Sequence, residues 1–246
     1  MKLAVIGGSG LYDLDQLEQR TQQQVTTIWG APSDSITSGR LHGLPMLFLA
    51  RHGAGHRLPP HRINYRANIA ALAELGATAV VGTAAVGGIG PTAGSIVVPH
   101  QLIDYTAGRE HTFSDGSLAS PQHVDFTEPY TAWLRQALLD AGKLLTIAVG
   151  SAGVYGATQG PRLETAAEID RLERDGCTLV GMTGMPEAAL AREIGLDYAN
   201  ISLVVNAAAG HADGPITMAE IEHELARGMG SIRAIVGALA RRLAAA

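Results

Sequence analysis

The sequence predicts an α/β fold: a single domain over residues 1–246, built in three layers (α/β/α) with helices on both faces of a central mixed β-sheet. Three observations predict it. Short apolar, β-branched runs alternate with segments whose apolar residues recur at helical spacing. The 30 glycines are spread through the chain rather than gathered in a linker, as many tight strand–helix turns in one unit would require. Hydrophobic residues make up 46% and charged residues 17%, ample material for a core. No internal repeat, low-complexity segment or clear linker divides the chain.

Lys2–Ile6 reads as a buried strand ending at the turn Gly7-Gly8-Ser9-Gly10. Pro45–Ala50 reads as a second strand, closed by Arg51-His52-Gly53. Ile63–Leu75 predicts a helix with Gly76 as its C-cap. Ala77–Val81 predicts a strand running into the small residues Thr83–Gly88, and Ser95–Val98 a further strand. Tyr105–Tyr130 is polar and weakly periodic, so a long ordered loop is expected. Thr131–Ala141 then predicts a helix stopped at Gly142, and a strand follows near Gly153–Thr158. Glu164–Arg174 has the pattern of a charged amphipathic helix, Leu179–Met182 of a strand, Pro186–Ile194 of a helix and Tyr198–Val205 of a strand. Thr217-Met218-Ala219-Glu220 has the spacing of a capping box and opens a last helix running toward Leu243.

The net charge of −5 and scattered basic residues leave no electrostatic footprint for nucleic acid or an anionic membrane. No apolar stretch is long enough to span a bilayer. Cys177 is the only cysteine, so no internal disulfide can form and a reducing compartment fits. The start MKLAVIGG lacks the longer apolar region of a signal peptide, and a cytoplasmic protein is expected.

Several junctions carry chemistry, each beside a plainer alternative. VIGGSG after the first strand could open a dinucleotide site and an oxidoreductase, but the third glycine of G-x-G-x-x-G is replaced and no acidic residue ends the next strand. The alternatives are a structural turn, or a Gly-rich turn whose backbone N–H groups and Ser9 hydroxyl face one phosphate. Arg51-His52 follows an apolar strand at the edge where α/β sheets gather ligands; Arg offers a planar fork to phosphate oxygens and His a further donor. An exposed Arg with a polar neighbour is the plainer reading. His52, His56 and His61 could suggest a metal, yet the glycines and prolines between them disfavour a helical ligand face and no nearby carboxylate or thiolate completes a set. Met182 reads by default as core, Thr183 as a cap, and Glu164 as a first-turn helix acid.

Taken in order, GGSGL, LARHG with NYRAN, TAAVGG, TQGPRLET, GMTGMPEAALA and VVNAAAG resemble the trimeric purine nucleoside phosphorylase and methylthioadenosine phosphorylase family, over nearly the whole chain from Ile6 to about Ile221. The resemblance implies a nucleoside phosphorylase-like fold and a reversible phosphorolysis of purine nucleosides to free base and ribose 1-phosphate or its 5-methylthio analogue. It implies no cofactor, phosphate being a co-substrate. It implies a phosphate site of Ser9, Arg51, His52, the Ala84-Ala85 backbone and Thr183, with Met182 against the ribose. Glu164 and Asn206 would read the purine, Ala207 and Ala208 lying beside them. A carboxylate only accepts, so Glu164 suits the N1–H of a 6-oxopurine, while the Asn206 amide can donate to N7 or O6. Adenosine-type relatives tend to carry Ser, Asp and a further Asp where this chain has Glu164, Asn206 and Ala208. Met218 falls where relatives acting on ordinary nucleosides place a His, so Met218 with Ile221 would wall a 5'-methylthio group, although both also fit the buried face of a helix. His123 resembles a residue that a neighbouring subunit inserts, which implies an oligomer, a homotrimer or a dimer of trimers. The expected substrate is thus a 6-oxopurine nucleoside, with S-methyl-5'-thioinosine preferred over inosine or guanosine. A catalytically silent nucleoside-binding protein is the alternative of another class.

Overall fold

In the computed structural model of the protein, which describes residues 1–116 and 123–245, the first strand shows how the layers arise. β1 (Leu3–Gly7) is buried throughout, and its alternate side chains face opposite cores. Leu3 and Val5 join one cluster with Met46 and Phe48, whereas Ala4 and Ile6 join the other with Leu47 and Leu49. β4 (Leu44–Ala50) and β5 (Ala79–Gly88) flank β1, both parallel to it. Continuous burial of both faces is what near-continuous apolar strands signal.

α1 (Tyr65–Glu74) and α4 (Gly184–Glu193) cover one face through Ile69, Leu72, Ala188 and Leu190. α2 (Ala132–Leu144) and α5 (Met218–Ala244) cover the other through Leu134, Leu138, Ile232, Ile235 and Leu239. α3 (Ala166–Arg174) buries Ile169 and Leu172 in a small third cluster with Cys177 and Val180. The expected three-layer arrangement is therefore present.

β11 (Asp197–Ala207) pairs in parallel along the whole of β5. On the other edge of β5, β1 pairs with residues 79–82 and β10 (Leu179–Gly181) pairs antiparallel with residues 87–88. Among the described residues the intervening edge, 83–86, has no strand partner. β10 continues to β9 (Val154–Ala157) and β7 (Gln101–Asp104), making the sheet mixed. Antiparallel β3 (Ile36–Leu41) and β2 (Glu18–Gln23) extend it beyond β4, while β6 (Ile96–Val97) and β8 (Val149–Gly150) extend it beyond β11.

Four expectations need correction. β2, β3, β7 and β8 were not expected. α2 runs through Gly142 instead of stopping there; an added Cβ at that glycine would lie 2.5 Å from Val149 Cγ2, so its smallness serves close packing rather than capping. α3 begins after Glu164: Thr165 is its N-cap and forms a capping box with Glu168. Ala77–Val81 and Thr83–Gly88 belong largely to one strand, β5. The expected loop holds among the described residues, with no helix or strand between Asp104 and Ala132; its residues 117–122 lie outside them.

Candidate active site

The ends of β1 and β4 meet the unpartnered edge of β5, and the chain is shaped to keep that meeting close. Gly8 follows β1, and its N–H donates to the Thr83 hydroxyl over 2.9 Å. A Cβ at Gly8 would lie 2.6 Å from the Thr83 carbonyl oxygen and 3.0 Å from Arg51 Nη1, so no larger residue fits. This divergence of strands is the kind of crevice in which α/β sheets bind ligands.

A cavity of about 660 Å³ occupies it. It is lined by Ser9, Arg51, His52, Ala84, Ala85, Met182 and Thr183, and also by Glu164, Asn206, Ala208, Met218 and Ile221. Residues scattered over more than two hundred positions thus surround one space. Two expected residues lie elsewhere: Ala207 lines an adjoining cavity of about 700 Å³, which shares Glu164, Asn206 and Ala208. His123 is exposed and outside the lining of both.

Arg51 is 1% exposed and lines the cavity, yet most of its fork is spent within the protein rather than left for a ligand as expected. Nε donates to Glu187 Oε2 over 2.6 Å and Nη2 to Oε1 over 2.7 Å, while Nη1 donates to the Thr83 carbonyl over 2.6 Å. Of five N–H donors, one on Nη1 remains beyond these bonds and a long contact to the Ile6 carbonyl. Burial alone would lower the Arg51 pKa, but Glu187 outweighs it and the net shift is upward. Glu187 itself is fully buried and also accepts from the Tyr198 hydroxyl over 2.7 Å.

His52 Nδ1 lies 2.8 Å from the Leu58 carbonyl oxygen, which requires a proton on Nδ1 and leaves Nε2 of the neutral ring as an acceptor. Burial, with a smaller push from Arg51, lowers its pKa to about 4 against the bond to Leu58. The expected donor role of His52 toward an anion therefore requires the ring to take up a proton. His56, also in the lining, stacks on it at 4.0 Å between ring centroids and has Tyr12 Oη 3.0 Å from its Nδ1. His61 is exposed in the short 3-10 helix Pro60–Arg62, and among the described residues no three His, Cys, Asp or Glu side chains are grouped to hold a metal ion.

Thr183 precedes α4 but makes no side-chain cap bond, so its hydroxyl is not spent on the helix. Glu164 accepts from the Thr158 hydroxyl at Oε1 over 2.6 Å, which fixes the carboxylate. Asn206 follows a register shift: Val204 pairs with Val86 and Asn206 with Gly87, leaving Val205 as an extra residue. A bulge of this kind re-aims the side chains after it. Asn206 Nδ2 donates to the Ala207 carbonyl over 2.7 Å. Met218 is 65% exposed at the start of α5, which removes the reading of that residue as buried core, whereas Ile221 is half-buried against the core below α5.

Residues 2–241 match the family model described as "Phosphorylase superfamily". The chain belongs to that superfamily. It is 54% identical to a probable S-methyl-5'-thioinosine phosphorylase of Pseudomonas syringae pv. tomato, over 98% of each chain. It is 44% identical to the 6-oxopurine nucleoside phosphorylase of Pyrococcus furiosus, over 89% of this chain and 84% of the relative. Methylthioadenosine phosphorylase from Schistosoma mansoni in complex with adenine superposes with a TM-score of 0.95 at 31% identity, covering all of this chain and 92% of that one. The ordered motif blocks and the superfamily match therefore agree over nearly the whole chain.

The residues not anticipated are those that act through others. Glu187 was quoted within GMTGMPEAALA without a role, and nothing local marks it as the partner of a residue 136 positions away. Tyr12 and Arg109 were missed likewise, because their bonds join distant segments; His56 had been weighed only as a metal ligand, and Thr158, six residues from Glu164, was quoted within TQGPRLET without a role.

Proposed function

We propose that this superfamily member phosphorolyses 6-oxopurine nucleosides, favouring S-methyl-5'-thioinosine, with the whole chain acting as one catalytic domain. The observation that carries the reading is one cavity whose lining brings together Ser9, Arg51, His52 and Thr183, the acceptor–amide pair Glu164 and Asn206, and the apolar Met218 and Ile221. Ser9, Thr183, the free N–H of Arg51, the Ala84-Ala85 backbone and His52 hold phosphate at one end. The unpartnered edge of β5 supports a backbone role at Ala84 and Ala85. Phosphate needs no covalent protein intermediate: it is nucleophile and counter-charge for a cationic sugar, so positioning and electrostatics supply catalysis. Met182 screens that sugar from water.

At the base end, Glu164 accepts from N1–H and Asn206 donates to N7 or O6 as negative charge gathers on the departing purine. Thr158 occupies Oε1 of Glu164 and leaves Oε2 for the base. Met218 and Ile221 offer a 5'-methylthio group an apolar, polarisable wall. A general inosine or guanosine phosphorylase is the second reading, favoured by Glu222, which lines the same end and could accept from a 5'-hydroxyl.

The reaction takes phosphate as co-substrate and uses no cofactor. The enzyme acts as a homotrimer, alone or paired into a dimer of trimers, in which the exposed His123 enters a neighbour's cavity; light scattering separates the two assemblies. A buried lone Cys177 supports a cytoplasmic setting, and no described helix is long and apolar enough to cross a membrane. Incubation with S-methyl-5'-thioinosine tests the activity: hypoxanthine and 5-methylthioribose 1-phosphate form with phosphate and not without it. Binding without phosphate-dependent release would contradict the reading.

A further inference from the structure

Arg109 lies on the loop after β7 and outside the cavity lining, yet it donates to both walls of the site. Nη1 donates to the carbonyl oxygens of Met182 (2.8 Å) and Met185 (2.7 Å) and to the Tyr65 hydroxyl (3.2 Å). Nη2 donates to the carbonyls of Thr158 (3.2 Å) and Gln159 (2.8 Å), and Nε to the Gln159 side chain (3.2 Å). None of these six acceptors is a carboxylate. A planar, rigid fork holds carbonyls of two different segments in fixed directions at once, which the rotatable donors of an ammonium on a flexible stem do not.

The two segments are the sugar floor and the base reader. Met182 lies on the first. The second runs from Thr158, whose hydroxyl holds Glu164, through Gly160 to Glu164 itself. They already touch: a Cβ at Gly160 would lie 2.4 Å from Met182 Sδ. Arg109 fixes the spacing between the loops from behind, without contacting the cavity.

We infer that Arg109 is a positioning residue for nucleoside recognition, holding the Met182 floor and the Glu164 carboxylate in one register. This rests on the nucleoside reading of the site. Misplacement of binding groups by a fraction of their contact distance costs on the order of tenfold to a hundredfold in efficiency. Loss of the fork loosens Glu164 relative to Met182, so nucleoside KM rises and discrimination between 6-oxo and 6-amino bases narrows.

The test compares wild type, R109K and R109A, each checked for folding by circular dichroism and melting temperature, with S-methyl-5'-thioinosine and methylthioadenosine as substrates. R109K keeps the charge but loses the fixed directions of the fork. The expected result is a folded R109K with nucleoside KM raised about tenfold or more and a narrowed preference for the 6-oxopurine. A purely structural role predicts lowered kcat in proportion to folded protein, with KM and base preference unchanged. That pattern in R109K, or unaltered kinetics, would overturn the inference. Wild type inactive on both nucleosides would instead overturn the proposed function, which keeps the two failures apart.

Discussion

Arg51 and Glu187, 136 residues apart, form a two-bond ion pair that is almost wholly shut from solvent. The pair decides the electrostatic character of the anion end. Arg51 brings its one remaining N–H there without an uncompensated charge, because Glu187 cancels that charge where water cannot. In the proposed phosphate role, this end would hold the anion by oriented N–H and O–H groups more than by net charge.

Removing one partner of such a pair leaves a buried charge alone, a loss of about 3–5 kcal/mol. Glu187→Gln should lower thermal stability by that order and raise the KM for phosphate, because Arg51 loses its fixed orientation. Denaturant titration with phosphate kinetics checks both. Arg51→Ala should do likewise, so its kinetic effect must be read at matched folded fraction.

His52 gives a pH dependence with a definite sign. Its pKa is lowered to about 4 in the folded protein from the ordinary 6.5, chiefly by burial. The unfolded chain therefore binds more protons between these values. Its contribution to stability is full above 6.5 and is lost as pH falls toward 4. His52→Gln should flatten that part of the stability profile, measured by denaturant midpoints across the range.

The same residue should govern anion affinity. An anion beside Nε2 favours the protonated ring, so binding takes up a proton. Sulfate stays doubly charged over this range, so its own binding, titrated without phosphate, should strengthen from pH 8 to 5.5 in wild type. The change should shrink in His52→Gln. Equal slopes would place His52 away from the anion.

Base choice should follow Glu164 and Asn206. A buried polar group left unpaired costs about 1–3 kcal/mol, so Glu164→Ser with Asn206→Asp should shift preference toward 6-aminopurines by tenfold or more. Thr158→Val should weaken 6-oxopurine binding more mildly, by freeing the carboxylate it holds. An unchanged ratio of kcat/KM values in the double variant would mean that the base is read elsewhere.

Met218→His should raise inosine relative to S-methyl-5'-thioinosine, on the order of tenfold in kcat/KM, by replacing an apolar wall with a hydrogen-bonding group. Because Met218 is 65% exposed, the substitution should leave the melting temperature almost unchanged.

Much of the fold was legible because the buried strands and helices advertise themselves. Lys2–Ile6 and Pro45–Ala50 are buried on both faces, and the Thr217 capping box is spelled out over four residues. β2 was not legible: Glu18–Gln23 is exposed at every position, and its strand form comes from pairing with β3 rather than from its own pattern. The same capping spacing that marked Thr217 was present at Thr165, and missing it put Glu164 into a helix it precedes. In the site, Ser9, Arg51, His52, Glu164, Met182, Thr183 and Asn206 came from motif blocks in register, whereas Tyr12, His56 and Glu222, which also line the cavity, lie outside those blocks. Glu187 and Arg109 were invisible because a single sequence carries no sign of which distant carbonyl or guanidinium a side chain will meet.

Side-by-side kcat/KM values for S-methyl-5'-thioinosine, inosine and methylthioadenosine, at saturating phosphate, test the account most directly. Glu164, Asn206 and Met218 together predict S-methyl-5'-thioinosine first, inosine second and methylthioadenosine last. Methylthioadenosine as the best substrate would contradict that reading of the site.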